Sequence, residues 1–308
     1  MSKQINLAII FGGPSREHEV SLSSAKGIIE ALDDEKYSVI PILISKSGRW
    51  PRGALSNQPI DLILPIGHGS YMEDGKLQGE LDKSGLPYLF SDAEASALAM
   101  NKSKTKAVAE QAGLNVLPEQ VLNNDRLALR TLDLPLVIKP TELGSSVGIT
   151  IAKAQDELQR GIDEAFAVTD EVLLEKFQPG RELTVGIMGN KNPQALPVIE
   201  IIPQVSKFYD YQAKYDEGGS EHVCPAEVPA EITKQVQSES IKVFKAVGCA
   251  DLARADFIWD DESGEVYFLE INTIPGMTHT SLVPEAAAEA GIEFRKFLDI
   301  LIASKLNM

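Results

Sequence analysis

The stretch RADFIWDDESGEVYFLEINTIPGMTHTS, residues 254–281, decides how the chain folds around its candidate site. Residues 254–259 and 266–271 form two alternating apolar runs, and the polar segment DDESGE separates them. This pattern predicts a β-hairpin with a longer loop. Folding the second run back on the first places Asp256 near Glu270 and Asn272, with Arg254 beside them.

The oxygen-bearing side chains at this end of the hairpin suit a divalent cation. Asp256, Glu270 and Asn272 supply a few hard oxygen ligands, which is how proteins hold magnesium against a polyphosphate. The alternative is a strand end with ordinary solvated polar residues, and composition alone favours it. The turn at Pro275 and Gly276, with the Ser/Thr-rich segment after it, favours a site because it exposes backbone N–H groups.

The composition narrows the class of protein. A chain of 308 residues has room for two or three domains. A formal net charge of −16 argues against nucleic acid as a partner, because a basic footprint is missing. A local cluster of cations can still bind an anion, and the candidates are Lys139, Lys176, Arg181, Lys207, Lys214 and Arg254.

The sequence shows no sign of a targeting or membrane segment. The opening residues MSKQINLAIIFGG are interrupted too early for a secretory signal, and no apolar run approaches the roughly 18 residues of a membrane span. Cys224 and Cys249 are too few for a disulfide framework or a zinc site, so we expect reduced thiols in a cytoplasmic protein. The histidines lack metal-ligand spacing: His18, His68, His222 and His279.

The N-terminal part predicts a parallel sheet. A helix is expected over residues 20–32, between the first two strands, and the predicted strands are 4–11, 38–45 and 62–66. Strands separated by helices pair in parallel, and ligands then bind beyond the carboxyl ends of the strands. The glycine-bearing loops at 12–15 and 67–75 occupy that position and are functional candidates.

The rest of the chain alternates further strands and helices. Helices are expected over 93–112, 155–167 and 231–247, and a last one ends near Leu306. The expected strands are 134–140, 171–177, 181–189 and 195–203. The segment KFYDYQAKYDEGGSEH, residues 207–222, has no clear periodicity, which is typical of an active-site loop or of disorder.

Nucleotide binding requires a phosphate-binding device, and two common ones are missing. Neither a Walker A loop nor the dinucleotide fingerprint occurs in the sequence. The segment LGSSVG, residues 143–148, offers close-approaching backbone N–H groups and the hydroxyls of Ser145 and Ser146, with Lys139 on the preceding strand. A simple glycine-serine turn is the alternative, and it is the commoner one.

Two carboxylates near strand ends are candidates for contacts with an adenosine. A ribose needs a carboxylate that accepts from its hydroxyls, and Glu175 or Glu182 can serve, with Lys176 nearby. Two solvated carboxylates at a strand edge are an equally good interpretation of these residues alone.

Taken together, the motifs resemble the D-alanine–D-alanine ligases of the ATP-grasp superfamily. The resemblance covers nearly the whole chain, in the order GGPSREHEVSL, HGSYMEDGKLQG, AMNK, KPTELGSSVGI, EKFQPGRELTVG, FYDYQAKY, RADF and LEINTIPGMTHTSLVP. FYDYQAKY together with LEINTIPGMTHTSL is highly specific. Met72 departs from the glycine usual in the second motif, and Asn101 stands where aspartate is common.

The resemblance implies an α/β protein with the ATP-grasp fold in three parts. These are an N-terminal parallel-sheet α/β domain (1–92), a central ATP-binding subdomain (93–180) and a C-terminal catalytic domain (181–308). ATP would lie between the last two, under a mobile loop at 205–221. The family also implies a cytoplasmic homodimer that uses D-alanine, ATP and two magnesium ions, with no nucleic acid or membrane partner.

The resemblance also implies roles for individual residues. Glu17 would hold the ammonium of the first D-alanine, near His68, and Ser145 and Tyr215 would hydrogen-bond with Glu17. Arg254 and the Gly276 N–H would form the oxyanion site, and Ser281 with Leu282 would take the second D-alanine. Nucleotide contacts would come from Lys102, Lys139, Lys176, Lys214, Glu175 and Glu182. Asp256, Glu270 and Asn272 would be the magnesium ligands.

The implied reaction proceeds through an acyl phosphate. A carboxylate is a poor acyl donor, so transfer of the γ-phosphoryl group would first make D-alanyl phosphate, which the second amine attacks. The product would be D-alanyl-D-alanine for peptidoglycan precursors. Rival interpretations are another carboxylate–amine ligase, a D-lactate-using ligase that Tyr215 disfavours, a non-catalytic nucleotide-binding regulator, and a purely structural α/β protein.

Overall fold

The computed structural model describes residues 4–123, 132–144, 148–204, 218–278 and 280–306. Its strands are β1 (Ile5–Gly12), β2 (Tyr37–Ile44), β3 (Leu62–Ile66), β4 (Glu119–Asn123), β5 (Leu136–Pro140), β6 (Thr150–Ala152), β7 (Glu171–Lys176), β8 (Arg181–Met188), β9 (Gln194–Ala195), β10 (Ile199–Pro203), β11 (Ser220–Val223), β12 (Leu252–Trp259) and β13 (Val266–Asn272). Its helices are α1 (His18–Ala31), α2 (Lys76–Ser84), α3 (Ala93–Met100), α4 (Lys102–Gln111), α5 (Gln155–Phe166), α6 (Ala230–Val247), α7 (Leu282–Glu289) and α8 (Phe294–Leu306). Within these residues, every helix is too short or too polar to cross a membrane.

The N-terminal sheet is parallel, as the sequence predicts, with strand order β2-β1-β3. Its strands are apolar on both faces because the sheet is covered on both sides. Leu7 and Ile9 share one core with Leu282 and Phe297 of the two C-terminal helices. The loops after β1 and β3 therefore leave the same edge of the sheet, next to α7.

The middle sheet is antiparallel, with strand order β4-β7-β5-β6. Helix α5 covers one face through Leu158 and Ile162, which pack on Ile138 and Leu174 in a small separate core. The sheet pairs Glu119 of β4 and Val137 of β5 with Glu175 of β7. Charged side chains on these strands are therefore brought close together.

The last sheet is also antiparallel, with order β11-β10-β8-β12-β13 and β9 paired to β8. Strands β12 and β13 form the predicted hairpin, in which Arg254 lies opposite Asn272 and Asp256 opposite Glu270. A register shift between Asp256 and Phe257 marks a bulge. A bulge changes the direction in which the side chains on its two sides point. The bulge therefore separates the polar end of the hairpin, which contains Arg254 and Asp256, from the apolar part that begins at Phe257.

One helical expectation is wrong in detail. Residues 93–112 form α3 and α4 rather than one helix, because Asn101 adopts an extended conformation and its side chain accepts from the Lys104 N–H at 3.0 Å. This is helix capping by asparagine. The expected last helix is confirmed as α8, which ends at Leu306. Gly291, with a φ of +78°, separates it from α7, which was not expected.

Other elements lack a clear sequence pattern and were not expected. These are α2, β4 and β11, and the expected strand at 195–203 is interrupted so that only β10 and the short β9 are regular. The parallel pairing expected for the N-terminal strands is confirmed, and the other two sheets are built by antiparallel neighbours.

Asp251 joins the first and last parts of the chain. It is fully buried and has a φ of +61°. Its carboxylate accepts from the Phe90 N–H at 2.9 Å, from Asn190 Nδ2 at 2.7 Å and from Lys305 Nζ at 3.1 Å. One buried charge therefore ties the end of the N-terminal region, the last sheet and α8 together.

Candidate active site

A cavity of about 510 Å³ lies where loops of the N-terminal sheet meet the hairpin β12–β13 and the start of α4. Glu17 and His68 come from the N-terminal loops, and Lys102 comes from α4. The hairpin and the turn after it contribute the other predicted residues: Arg254, Glu270, Asn272, Gly276, Ser281 and Leu282. The structure thus brings residues from widely separated motifs into one space.

Arg254 and Asp256 form a close pair at the base of the hairpin. Arg254 Nε and Nη2 donate to the two Asp256 oxygens at 2.9 and 2.8 Å, and Thr184 Oγ1 of β8 donates to Asp256 at 2.5 Å. Asp256 is buried, and these donors satisfy both of its carboxylate oxygens. The Arg254 guanidinium is therefore bound to a carboxylate. It also lines the cavity, where an anionic group of a substrate would meet it.

Glu270 and Asn272 lie beside that pair. Glu270 Oε2 is 3.5 Å from Lys102 Nζ, and Asn272 Oδ1 accepts from the Ile274 N–H at 2.9 Å. Lys102 Nζ also donates to the Leu143 carbonyl at 2.8 Å, which fixes the start of the glycine-serine segment.

The donor set of the hairpin fits magnesium in kind. Two carboxylates and one amide oxygen are hard ligands, and Glu270 faces the cavity. The described part of the chain has no group of three or more His, Cys, Asp or Glu side chains in a metal-binding arrangement. A cation here would therefore need other oxygens, such as those of a polyphosphate, to complete its coordination.

The N-terminal loops form the opposite end of the cavity. Ser15 Oγ donates to the His68 carbonyl at 2.6 Å, which joins the loop after β1 to the loop after β3. Gly69 has a φ of +74°, and a Cβ there would lie 3.0 Å from Glu17 Oε2. Glycine is required at this position because the backbone comes so close to the Glu17 carboxylate.

His68 is buried against a second carboxylate that the sequence did not single out. Glu73 Oε1 lies 3.7 Å from His68 Nδ1, and the Glu73 carboxylate also accepts from the Gly69 N–H. Burial acts to lower the pKa of His68, but Glu73 and Glu17 outweigh it and the pKa is raised. Burial raises the pKa of Glu73 against the opposing effect of His68.

Met72, the departure in the second motif, is completely buried. A Cβ on Gly67 would lie 2.2 Å from its terminal methyl group, and a Cβ on Gly13 would lie 2.8 Å from its Cγ. Met72 therefore fills the space between the two glycine-bearing loops and sets their separation by packing.

The turn after β13 places Gly276 against Ser281. A Cβ on Gly276 would lie 2.9 Å from Ser281 Oγ, so a larger residue is excluded unless Ser281 moves. Ser281 Oγ accepts from the Thr278 N–H at 3.1 Å, and Ser281 is the N-cap of α7, which starts at Leu282. A helix N-terminus favours a carboxylate, which suits the role that the sequence suggests for this turn.

The remaining nucleotide candidates lie behind the cavity rather than in its lining. Lys139 Nζ donates to Glu175 Oε2 at 2.7 Å, and both residues are buried. Lys106 Nζ pairs with the other Glu175 oxygen and lies 3.4 Å from Glu119 Oε2. We call these four residues (Lys106, Glu119, Lys139 and Glu175) the buried charge cluster.

Two predicted residues lie on strands next to that cluster. Lys176 ends β7 and pairs with Leu136, while Glu182 lies near the start of β8 opposite Ile201 and Ile258. Both are partly exposed. Ser145, Lys214 and Tyr215 lie outside the described residues, and so does most of the expected loop at 205–221.

Reasoning from the sequence missed Lys106, Glu119 and Glu73. Lys106 follows Lys102 by four positions, so helical spacing puts both ammonium groups on the same face of α4. That spacing was the available signal. Glu119 and Glu73 have no comparable signal, because their partners come from other elements.

Comparisons with known proteins agree over nearly the whole chain. The family model described as D-ala D-ala ligase N-terminus matches residues 6–59, and that described as D-ala D-ala ligase C-terminus matches residues 108–303. A relative from Halalkalibacterium halodurans named D-alanine--D-alanine ligase is 40% identical over 98% of this chain and 100% of its own length.

Solved structures give the same result. The VanG D-Ala:D-Ser ligase from Enterococcus faecalis superposes with a TM-score of 0.87 at 32% identity, covering 98% of this chain and 100% of the other. The D-alanine--D-alanine ligase from Bacillus anthracis complexed with ATP superposes with a TM-score of 0.83 at 33% identity, covering 99% and 98%.

Proposed function

This chain belongs to the D-alanine–D-alanine ligase family, and we propose that the cavity between its N-terminal loops and the hairpin β12–β13 is where the reaction takes place. The protein is an ATP-dependent ligase of the ATP-grasp class that joins D-alanine to D-alanine for cell-wall synthesis. The individual roles below are proposals for its residues.

The first D-alanine would bind at the N-terminal end of the cavity. Its ammonium suits the Glu17 carboxylate, and His68 lies close by on the loop that Ser15 holds in place. His68, with a raised pKa, is a donor toward an anionic carboxylate. The substrate carboxylate would then point toward the hairpin, where the cations are.

Arg254 would act on the reaction centre. Attack of an amine on an acyl phosphate makes a tetrahedral oxyanion, which the Arg254 guanidinium and the Gly276 N–H can stabilise before phosphate leaves. Asp256 holds Arg254 by two hydrogen bonds and so orients the planar group. Ser281 and Leu282, at the start of α7, are proposed to receive the second D-alanine.

Asp256, Glu270 and Asn272 are proposed as the ligands of two magnesium ions. Bound magnesium neutralises charge during phosphoryl transfer. Lys102 and Lys139 supply positive charge on the same side, from α4 and β5. Lys176, Glu175 and Glu182 are the proposed nucleotide contacts on the neighbouring strands, with Lys214 in the segment that the structure leaves undescribed.

The wider organisation also remains proposed. Domains at 1–92, 93–180 and 181–308 contain the three sheets, each with its own set of strands. A homodimer formed through the N-terminal domain is proposed from the family resemblance. A cytoplasmic location is proposed from the same resemblance, because the reaction consumes ATP.

One observation carries the assignment of the site. The hairpin end with Arg254 and Glu270 shares one cavity with Glu17, His68 and Lys102, which come from other parts of the chain. A carboxylate for the ammonium, cations for phosphate and an arginine for the oxyanion are the groups that this ligation needs.

The test measures phosphate release with ATP, magnesium and one amino or hydroxy acid at a time. D-Alanine should support turnover, and L-alanine should not. Equal D-alanine and D-lactate, read by product mass from pH 6 to 9, should give the dipeptide with little depsipeptide. D-Serine is a separate arm because of the likeness to VanG. Predominant use of D-serine or D-lactate would overturn D-alanine as the acceptor.

A further inference from the structure

Lys106 is a buried lysine for which the mechanism above has no use. It lies one helical turn beyond Lys102 on α4, and its side chain is about 1% exposed. Lys102 lines the cavity and Lys106 does not. A nucleotide in the cavity can therefore meet Lys102 directly. The side chain of Lys106 is almost completely enclosed by other side chains, so Lys106 acts on a nucleotide only through its partners.

The partners of Lys106 are two carboxylates. It pairs with Glu175 and lies 3.4 Å from Glu119, whose other oxygen accepts from Ser103 Oγ at 2.6 Å. Glu175 in turn accepts from Lys139 at 2.7 Å. Charges therefore alternate in sign through the buried charge cluster, from Glu119 to Lys106, Glu175 and Lys139.

Glu175 is the centre of this arrangement. Its carboxylate is about 3% exposed and has a lysine on each oxygen. A buried carboxylate needs a counter-charge, because burial without one is strongly unfavourable. With Lys106 present, Glu175 keeps a counter-charge even when Lys139 turns away.

Lys139 is the lysine that has to change partners. In this state its ammonium is bound to Glu175, whereas contact with a nucleotide needs the same ammonium on a phosphate oxygen. Burial, reinforced by the nearby charges of Lys106 and Lys102, holds the pKa of Lys139 well below its usual value. Phosphate anions would reverse that effect and draw Lys139 toward them.

We propose that Lys106 is a positioning residue for nucleotide binding: it neutralises Glu175 and so releases Lys139 to the phosphates. The inference rests on the proposed function. Among the residues that the structure describes, Lys106 and Lys139 are the cations paired with Glu175, so without Lys106 the nucleotide phosphates must compete with a buried carboxylate for Lys139. Nucleotide affinity then falls, while the D-alanine end of the cavity is unchanged.

The experiment measures binding of magnesium-ADP by calorimetry to four proteins. These are the wild type, Lys106→Met, Glu175→Gln and the double variant. Lys106→Met should raise the dissociation constant at least about tenfold, equivalent to 1.4 kcal/mol. Glu175→Gln removes a proposed nucleotide contact and weakens binding by itself, so the double variant is compared with Glu175→Gln. In that background Lys106→Met should cost at most half of its effect in the wild type on a logarithmic scale, because the carboxylate that traps Lys139 is gone.

Steady-state kinetics supply a readout that general damage would not reproduce. Lys106→Met should raise KM for ATP, leave KM for D-alanine within about twofold of the wild type, and change kcat little at saturating ATP. Lys104→Met is the matched control, since Lys104 is an exposed lysine on the same helix. It should behave as the wild type.

Several results would overturn the inference. One is a folded Lys106→Met protein that binds magnesium-ADP within twofold of the wild type, and another is a double variant whose loss is the product of the two single losses. If Lys106→Met does not fold, the double variant is compared with Glu175→Gln, and a tenfold weaker double variant contradicts the proposal. A wild type that neither binds magnesium-ADP nor releases phosphate with D-alanine instead refutes the proposed function.

Discussion

The hairpin β12–β13 and the buried charge cluster both place charged side chains beneath the surface, but by different means. In the hairpin, Arg254 and Asp256 are two residues apart and hydrogen-bond across one strand end. In the cluster, Lys106 and Glu175 are brought together by α4 and β7, far apart in the sequence. The charged pair of the hairpin therefore depends on residues that are close in the sequence. The buried charge cluster forms only when α4 packs against the middle sheet.

The difference has a functional side. Arg254, Glu270 and Asn272 of the hairpin line the cavity that we propose as the reaction site, whereas the lining does not include Lys106, Glu119 or Glu175. Changes in the hairpin should therefore lower turnover and leave the fold intact. Changes at Lys106 and Glu119 of the buried charge cluster should alter nucleotide affinity or stability and leave the chemical step nearly intact.

Glu270→Gln is the strongest test of the hairpin half of this comparison. It removes the charge of a proposed magnesium ligand and keeps the shape, so turnover should fall roughly a thousandfold, a loss of several kcal/mol of transition-state stabilisation. The thermal midpoint should stay near that of the wild type. Phosphate release at saturating magnesium measures the effect.

Glu262→Gln is the matched control, because Glu262 is exposed in the turn of the same hairpin. Its turnover should equal that of the wild type. If Glu270→Gln keeps wild-type activity at saturating magnesium, Glu270 is not a metal ligand.

Arg254→Lys should have the next largest effect. Lysine keeps the charge but loses the planar group that makes two hydrogen bonds to Asp256 and that we propose as a donor to the oxyanion. We expect kcat to fall on the order of 100-fold, by comparison with loss of one oxyanion donor. Single-turnover measurements of dipeptide formation would show it, and an unchanged rate would remove Arg254 from the mechanism.

Glu119→Gln tests the buried charge cluster, which is the other half of the comparison. It leaves Ser103 a hydrogen-bond acceptor but removes one counter-charge of Lys106. The free energy of unfolding should drop by about 1–3 kcal/mol, the usual range for a disturbed buried polar pair, while kcat at saturating ATP stays within about twofold. Urea unfolding and phosphate release are compared on the same protein. A large loss of kcat with unchanged stability would contradict the division of roles.

The smallest expected effect is a pH dependence of stability from Lys106. Burial lowers its pKa in the folded protein to about 8, against the ordinary lysine value of 10.5. Between these pH values the unfolded chain binds more protons, so stability rises with pH. Relative to Lys106→Met, the wild type should gain up to about 2 kcal/mol between pH 7 and 9.5. Urea unfolding of both proteins at both pH values measures this gain. If the difference in unfolding free energy between the two proteins is the same at both pH values, Lys106 has an ordinary pKa.

The same contrast explains what could be predicted from the sequence. The hairpin follows from alternation and a turn within 28 residues, so the register of Asp256 and Glu270 was accessible. The parallel N-terminal sheet was accessible for a similar reason, since its strands are short, apolar and regularly spaced. These predictions depend on neighbours in the sequence.

The rest depended on contacts between distant segments. The break at Asn101 is a side-chain cap that interrupts an otherwise helical pattern. The lysine pairs of Glu175 and the contact of Glu73 with His68 follow from which strands and helices pack together. Periodicity carries no information on such partners, and only the spacing of Lys102 and Lys106 hinted at one of them.

Asp251 has a practical consequence for anyone who shortens or extends this chain. A helix near the end of a chain is commonly treated as a place where residues can be trimmed or fused freely. Here Lys305 contacts the same buried carboxylate that holds the Phe90 N–H and Asn190. Cutting α8 before Lys305 would remove that cation and leave the buried Asp251 carboxylate without it, at the point where distant parts of the chain meet. Deletions and rigid fusions should therefore be made at other positions.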